Sequence, residues 1–268
     1  MYYNTPMSTV EKLSPPLKWA GGKRWLVPRL AEIWADHRQA RLVEPFCGGL
    51  AVALGLQPHR ALLNDINEHV INFYRQLQSG FEIKLELHND EDFYYQQRDR
   101  FNELVHHGEA LSPEGAAIFY YMNRTGYNGL CRFNNSGEFN VPFGSYKTIN
   151  YRYDFSAYQA ALHGWSFRAG DFTRLKLKPD DFIYADPPYD VEFTKYSKRD
   201  FAWEDQERLA HWLAQHPGPV VLSNQATDRI VALYADLDFD IQFLEGPRRI
   251  SSNGDRSKAP ELLATRGL

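Results

Sequence analysis

Cysteine and long apolar runs are scarce in this sequence, and each shortage excludes a class of protein. The 268 residues contain two cysteines, Cys47 and Cys131, which cannot form a disulfide scaffold, and no Cys/His cluster has zinc-finger spacing. No His-Glu-x-x-His helix occurs either, so we expect no metal site. No apolar run is long enough to span a bilayer and there is no signal peptide, so the expected location is cytoplasmic, without a membrane partner.

The chain also lacks an excess of positive charge. Its formal net charge is -4, which argues mildly against a nucleic-acid partner, since proteins that bind nucleic acids are often basic. The distribution of charge matters more than its sum. Residues 248–258 hold four cations and one acid, and such a local basic face can bind phosphates on an acidic protein. Nothing in the sequence indicates a protein partner.

Short apolar segments that end in polar residues alternate with helical patterns. Such segments are typical of buried parallel strands. Strands are predicted at 41–44, 61–65, 181–185 and 219–223, and helices at 67–77, 204–215 and 226–235. The alternation predicts an α/β fold, a doubly wound, Rossmann-like domain with helices on both faces of a parallel sheet.

The middle of the chain has a different pattern. Residues 76–159 are polar, rich in aromatics and interrupted, and they predict an inserted, mostly helical domain. One β-hairpin is expected in it, with strands at 130–134 and 138–141 around the turn Asn135-Ser136-Gly137. Residues 1–75 and 160–268 then form the main domain, in which residues 1–16 are expected to be a flexible lead-in.

A turn with two glycines follows the first predicted strand, in Glu44-Pro45-Phe46-Cys47-Gly48-Gly49. The glycines let a ligand approach the backbone, and Asp65, 21 residues after Glu44, can accept hydrogen bonds from both ribose hydroxyls of a nucleoside. The third glycine of a dinucleotide fingerprint is missing, which suits S-adenosylmethionine because that molecule has no phosphate. The alternative is a tight turn with Asp65 as a helix cap.

A second glycine pair lies in Trp19-Ala20-Gly21-Gly22-Lys23. The segment does not match a P-loop, but its backbone amides and Lys23 could hold a single carboxylate, such as that of methionine. A glycine-rich turn with a solvated lysine explains the segment equally well.

The motif Asp186-Pro187-Pro188-Tyr189 follows a predicted strand, where ligands bind in doubly wound sheets. Its prolines have no N–H, so carbonyls are the free polar groups of the loop. Asp186 and the Pro187 carbonyl can each accept one hydrogen of an exocyclic amine, and Tyr189 offers a flat face to a planar base. A base in a duplex must flip out to reach such a pocket. The alternative is a proline-rich turn with a core tyrosine.

In this order the three motifs resemble those of the Dam family of DNA adenine-N6 methyltransferases, and residues 123–134, 137–144, 249–254 and 261–263 resemble other segments of that family. The resemblance implies a methyltransferase domain that uses S-adenosylmethionine, with an inserted DNA target-recognition domain. It further implies site-specific methylation of adenine N6 in double-stranded DNA, within GATC. Related enzymes often carry a basic residue where Ser145 stands, which leaves one phosphate or base contact in doubt.

The resemblance also assigns roles to individual residues. The catalytic residues would be Asp186, Pro187 and Tyr189. The cofactor site would be lined by Trp19, Lys23, Glu44, Phe46, Gly48, Asp65, Asp171 and Asp186. The DNA contacts would come from Lys18, Tyr127, Asn128, Arg132, Pro142 and Tyr146.

The expected reaction is a direct, in-line attack of the amine of a flipped-out adenine on the sulfonium methyl group, without a cysteine nucleophile. Three alternatives stay open: methylation of RNA adenine or of cytosine N4, a nucleotide-dependent oxidoreductase, and a non-catalytic DNA-binding module. Arg132 is expected to read a guanine; otherwise it binds a phosphate or packs on Phe133.

Overall fold

A computed structural model of the chain describes residues 13–190, 201–246 and 259–268. Helices and strands alternate through most of this part of the chain. In chain order the elements are α1 Val27–Trp34, β1 Leu42–Glu44, α2 Ala51–Leu56, β2 Ala61–Asp65, α3 Glu68–Ser79, α4 Glu91–His106, α5 Pro113–Thr125, α6 Ser156–Ala161, β3 Trp165–Ala169, β4 Phe182–Ala185, α7 Trp203–Ala214, β5 Val220–Gln225, α8 Asp228–Asp236, β6 Asp240–Gly246 and β7 Ala259–Arg266.

Within the described ranges, one sheet of seven strands has the order β3-β2-β1-β4-β5-β7-β6. The first five strands in this order, β3, β2, β1, β4 and β5, run parallel to one another. Strand β7 is antiparallel to both β5 and β6. The chain adds β2 and β3 on one side of β1, and β4 and β5 on the other. This is doubly wound topology, so the predicted α/β fold is confirmed.

Strands β3, β6 and β7 are not among the strands predicted from the sequence, and two of them, β3 and β6, lie at the edges of the sheet. Strand β3 buries Trp165 and Phe167 but exposes Ser166 and Arg168, because it lies at the edge of the sheet. Strand β6 lies at the other edge and exposes Phe243. Edge strands have no continuous apolar run, whereas the predicted strands are the fully buried central ones.

The helices begin and end at residues suited to those positions. Asn67 caps α3 by accepting from His69 N and Val70 N, and Gly80 ends it with a φ of 79°. Thr227 caps α8 in the same way. The predicted helices at 67–77, 204–215 and 226–235 are observed as α3, α7 and α8, each shifted by one or two residues.

Helices α4 and α5 are the two long helices within segment 76–159, which contributes no strand to the sheet as described. Helix α5 is buried along nearly its whole length, and the rings of Phe73 on α3 and Tyr120 on α5 stack at 5.6 Å. Helices α3 and α6 extend across the predicted domain limits. The segment therefore shares a hydrophobic core with the sheet domain, and the limits themselves stay a prediction.

The predicted hairpin is present in a short form. Phe133 and Phe139 make a single antiparallel bridge, flanked by hydrogen bonds from Asn134 N to Glu138 O at 2.9 Å and from Asn140 N to Arg132 O at 3.1 Å. The turn between them is closed by Asn134, whose side chain accepts from Ser136 N and Glu138 N.

The prediction of a flexible lead-in is wrong for residues 13–16. Leu13 is buried, and the Tyr158 hydroxyl donates to the Ser14 carbonyl at 2.6 Å. The remainder of that segment, and the basic segment 248–258, lie outside the described residues. Across the described part of the chain, no helix is both long and apolar enough to cross a membrane, and no group of three or more His, Cys, Asp or Glu could hold a metal ion.

Candidate active site

The carboxyl ends of the parallel strands meet at one edge of the sheet, and the predicted motifs lie there. Glu44 ends β1, Asp65 ends β2, and Asp186 directly follows β4. Strands β1 and β4 are neighbours, and the strand order reverses between them. Doubly wound sheets bind ligands at this position, so we call it the carboxyl edge and examine it as the candidate site.

The glycine pair after β1 makes room for an indole ring. A Cβ atom at Gly48 would lie 2.5 Å from Trp19 Nε1, and one at Gly49 would lie 2.8 Å from Trp19 Cβ. Gly48 also has a φ of 43°, which side chains rarely adopt. Close approach to these glycines is therefore already made by Trp19, and the two glycine motifs are in direct contact.

Asp65 is held by backbone groups on either side of it. Its Oδ2 accepts from Gly48 N at 3.0 Å, and its Oδ1 accepts from Asn67 N at 2.9 Å. The cap of α3 is Asn67, so the alternative that Asp65 caps this helix is wrong. Each carboxylate oxygen has a further acceptor site, so Asp65 can still bind ribose hydroxyls.

Burial raises the pKa of three carboxyl groups at the carboxyl edge: Glu44, Asp65 and Asp186. For Asp65, hydrogen bonds from the backbone oppose the rise in pKa. Glu44 has the least support, since its Oε1 is buried with no hydrogen-bond partner among the described residues. Among the described residues, Lys23 is the only Lys or Arg that is buried, whereas Glu44 and Asp65 are both buried carboxyl groups. The carboxyl edge therefore suits a positively charged ligand.

Lys23 joins the first motif to the last. Only 3% of it is exposed, and its ammonium donates to Gly21 O at 3.1 Å, to the Tyr189 hydroxyl at 2.7 Å and to Asp186 Oδ1 at 2.9 Å. An ammonium has three donors, so all of them are used. The alternative of a solvated lysine is therefore wrong, because Lys23 neutralises Asp186 inside the protein.

Asp186 and Pro187 keep acceptors available for a ligand. Asp186 Oδ1 accepts from Lys23 and from the Ser223 hydroxyl at 2.9 Å, which in turn is bonded to the Tyr184 hydroxyl. None of the described residues donates to Asp186 Oδ2 or to the Pro187 carbonyl. Two acceptors in adjacent residues can bind the two hydrogens of one amine.

The rest of the loop is anchored by residues that sequence reasoning missed. Gln206 on α7 donates to the Pro188 carbonyl at 2.8 Å. Burial, and after it the nearby carboxyl groups of Asp186 and of Glu261 on β7, raise the pKa of the Tyr189 hydroxyl. Asp190 is buried and accepts from Thr227 and Arg229 at the start of α8. Tyr189 is itself half-buried with its ring beside Lys23, so the alternative of a core tyrosine is also wrong.

A second part of the edge lies beyond β2 and β3. Asp171 accepts from Thr173 at 2.9 Å and forms an ion pair with Arg208 at 2.8 Å, and Phe46 packs against Phe172 at 5.6 Å. Ile66 was missed by sequence reasoning, although it directly follows Asp65. It is 74% exposed, and an apolar side chain so exposed beside the proposed ribose acceptor offers a surface to a flat ring.

The six predicted DNA contacts form what we call the recognition surface. The side chain of Asn123 holds the backbone of Lys18, because it accepts from Lys18 N at 2.8 Å and donates to Lys18 O at 2.9 Å. The ammonium of Lys18 lies 3.6 Å from the centre of the Tyr146 ring. Tyr127 N donates to Pro142 O at 2.9 Å. The structure thus brings Lys18 and Tyr146 together, and Tyr127 and Pro142 together.

Arg132 lies on the short hairpin, where its guanidinium donates to the side chain and carbonyl of Asn140 at 2.7 and 3.0 Å. The guanidinium is therefore bonded across the hairpin. Asn128 is exposed with a φ of 53°, next to Tyr127, which is 50% exposed. The roles of these side chains in reading DNA stay predictions.

The cysteines have the properties of structural residues. Burial raises the pKa of the Cys47 thiol well above its ordinary value and that of Cys131 to about 12. A nucleophilic cysteine needs the opposite change, a lowered pKa, so neither is prepared for attack.

Comparison with known proteins identifies the family. A family model described as D12 class N6 adenine-specific DNA methyltransferase matches residues 19–249. The chain is 35% identical to the retron Ec67 DNA adenine methylase of Escherichia coli, over 95% of this chain and 92% of that protein. It is also 35% identical to the DNA adenine methylases of Vibrio cholerae and of Escherichia coli K12, over 92% of this chain and 94% and 93% of theirs.

The chain belongs to the D12 class of N6 adenine-specific DNA methyltransferases. This membership confirms the resemblance drawn from the motifs and makes the protein an adenine-specific DNA methyltransferase.

Proposed function

We propose that this enzyme transfers a methyl group from S-adenosylmethionine to N6 of a flipped-out adenine in double-stranded DNA, within GATC. The observation that carries the proposal is the pair of available acceptors at Asp186 Oδ2 and the Pro187 carbonyl, beside the half-buried ring of Tyr189. An exocyclic amine has two hydrogens for these acceptors, and its ring can stack on Tyr189.

The charges and surfaces of the carboxyl edge support S-adenosylmethionine as the donor. Its sulfonium and ammonium groups are positive, and the Oε1 of Glu44 is a buried acceptor with no partner among the described residues. A cation beside Glu44 would oppose the rise in its pKa that burial causes. Asp65 would accept from the ribose hydroxyls, and Ile66 and Asp171 would border the adenine ring. We assign the walls of the site to Trp19, Lys23, Phe46 and Gly48.

The residues of the loop would promote transfer by holding the amine. When bound, S-adenosylmethionine supplies an electrophilic methyl group. Asp186 and the Pro187 carbonyl hold the two amine hydrogens, which directs the nitrogen lone pair at the methyl group and stabilises the positive charge that develops on the nitrogen. Burial raises the pKa of Asp186, and the Lys23 ammonium opposes that rise. The raised pKa of Asp186 also suits it to receive the proton that the amine releases.

The recognition surface would select the target sequence. Residues 123–134 resemble the recognition segment of the Dam family, which supports GATC, and Arg132 has the side chain that most often binds guanine in the major groove. Tyr127 is exposed enough to take the place of the flipped base in the stack.

Methylation assays with defined oligonucleotides test the proposal. With S-adenosylmethionine, we expect N6-methyladenine in a GATC duplex, and little in duplexes with one altered base pair, in RNA of the same sequence, or at cytosine N4. Thermal melting tests the donor separately, because a bound ligand stabilises the native state by mass action. Asp65→Asn should reduce the shift that S-adenosylmethionine produces. Transfer to RNA or cytosine, or no shift at millimolar donor, would overturn the corresponding part.

A further inference from the structure

Gln206 occupies a position where an apolar residue is expected. The buried residues of α7 are Gln206, Leu209, Ala210 and Leu213, which have the spacing of one apolar helical face. Only 1% of Gln206 is exposed. Burying an amide is costly unless both its donor and its acceptor are bonded, so a glutamine here needs specific partners.

Those partners connect the catalytic loop to the body of the protein. Gln206 Nε2 donates to the Pro188 carbonyl at 2.8 Å, and its Oε1 accepts from Asn224 Nδ2 at 3.0 Å. Asn224 is fully buried on β5, and its Nδ2 also donates to the Tyr234 hydroxyl on α8 at 2.9 Å. The chain of bonds from Tyr234 to Pro188 therefore crosses α8, β5 and α7 before it reaches the loop.

The hydrogen bond from Gln206 distinguishes two successive carbonyls of the same loop. Pro188 has its carbonyl bonded to Gln206, whereas the Pro187 carbonyl receives no donor from the described residues. The hydrogen bond from Gln206 orients the peptide that joins Pro188 to Tyr189, because Pro188 has no N–H and the N–H of Tyr189 donates to none of the described residues. We infer that Gln206 is a positioning residue for methyl transfer, which holds the Pro188 carbonyl so that the Pro187 carbonyl faces the amine. The inference rests on the proposed roles of Asp186 and Pro187.

Three substitutions test this role against a purely structural one. Gln206→Leu removes the bond to Pro188, and Gln215→Leu makes the same chemical change at an exposed position at the end of the same helix. Tyr234→Phe breaks the same buried network at its far end, without touching the loop. Single-turnover methyl transfer at saturating DNA and S-adenosylmethionine would be measured for each, with both dissociation constants and the melting temperature.

We expect Gln206→Leu to slow transfer by about 10²-fold, the effect of a misplaced reacting group. Both dissociation constants should stay within about twofold, because the bond orients the amine rather than binding either ligand. Tyr234→Phe should lower the melting temperature yet keep the transfer rate within about threefold of wild type. Gln215→Leu should keep the transfer rate within the same limit. If Gln206→Leu does not fold, Gln206→Glu preserves the shape and should show the same loss of rate.

Equal losses of rate in Gln206→Leu and Tyr234→Phe would overturn the inference, since a structural network would produce them. An unchanged rate in Gln206→Leu would overturn it as well. Asp186→Ala, measured in the same series, separates a failure of the role of Gln206 from a failure of the proposed function. If Asp186→Ala is inactive while Gln206→Leu is not, only the role of Gln206 fails, whereas an active Asp186→Ala contradicts the proposed function.

Discussion

The carboxyl edge and the recognition surface differ in how their side chains are held. At the carboxyl edge, Lys23 has all three donors bonded inside the protein. Asp65 accepts hydrogen bonds from Gly48 N and Asn67 N, and Asp186 accepts from Lys23 and Ser223. On the recognition surface, Tyr127, Asn128, Arg132 and Pro142 are exposed. The geometry of the edge is therefore fixed by folding, whereas most side chains of the recognition surface face solvent.

This difference has a physical consequence for substitutions. Polar groups in a buried site interact strongly and leave unpaired partners when one is removed, so changes there should act on rate and stability. Exposed groups exchange water for DNA, so changes there should act on affinity and sequence preference. Four expected results, from the largest effect to the smallest, test whether the two regions separate in this way.

The largest effect is expected at Asp186. Asp186→Ala should lower the turnover number by about 10³-fold or more while DNA binding stays nearly intact, because the contact with the amine matters most in the transition state. Steady-state kinetics and DNA titration measure the two quantities. Asp186→Asn keeps an acceptor for Lys23 and controls for the unpaired lysine, and Asp180→Ala alters an exposed aspartate before β4. Turnover close to wild type in Asp186→Ala would contradict the assignment.

The next effect concerns His69, on α3 where the two regions meet. It stacks on Phe133 of the hairpin at 5.1 Å, and burial lowers its pKa to about 4. The unfolded chain binds a proton below about pH 6.5, whereas the folded protein binds it only near pH 4, so stability is lost as pH falls through this range. The full loss is about 3 kcal/mol by the usual conversion of pKa differences.

Urea unfolding between pH 7 and pH 4 measures that loss. His69→Phe should show a shallower decline in the free energy of unfolding than wild type, since it has no group to protonate. His107→Phe, at an exposed position after α4, should follow wild type. Parallel curves for wild type and His69→Phe would show that this buried histidine does not link pH to stability.

Replacing Arg132 should have a smaller effect on methylation, and that effect should depend on the DNA sequence. If it reads a guanine, Arg132→Ala costs about 1–3 kcal/mol on GATC and much less on a site altered at that guanine. If it binds phosphate, both sites weaken alike and the salt dependence becomes shallower. Methylation rates on GATC and its single-base variants distinguish the two, with Arg38→Ala, exposed near the amino end of β1, as the control.

The smallest expected effect is the pH dependence of DNA binding through Lys18. Burial and the nearby Arg124 lower the pKa of Lys18 to about 8, so the ammonium loses its proton above that pH. If DNA requires the charged form, the dissociation constant should rise about fivefold between pH 8 and pH 9, because the charged fraction falls from about one half to about one tenth. Lys18→Arg stays charged and should show a flat profile over the same range. A wild-type profile as flat as that of the variant would remove Lys18 from the list of DNA contacts.

The sequence predicted the parts of the fold that have strong local signals. Central strands such as β2 and β4 are continuous apolar runs, and their strand-end motifs directly follow them. The edge strands β3 and β6 were missed because half-exposed strands have no such run. Gln206 and Glu261 were missed because their partners are distant in the chain, although a glutamine on the apolar face of α7 was an available signal.

The sequence by itself determined the family, the order of the three motifs and the residue types of the candidate site, because these depend on residue type and spacing. Only the tertiary structure decided what each group contacts. Lys23 could have been solvated, but folding places it against Asp186, and the glycines expected to admit a ligand also make room for Trp19. The physical reason is that hydrogen bonds and charges act over a few ångströms, and those distances arise only when the strands of the sheet bring distant segments together.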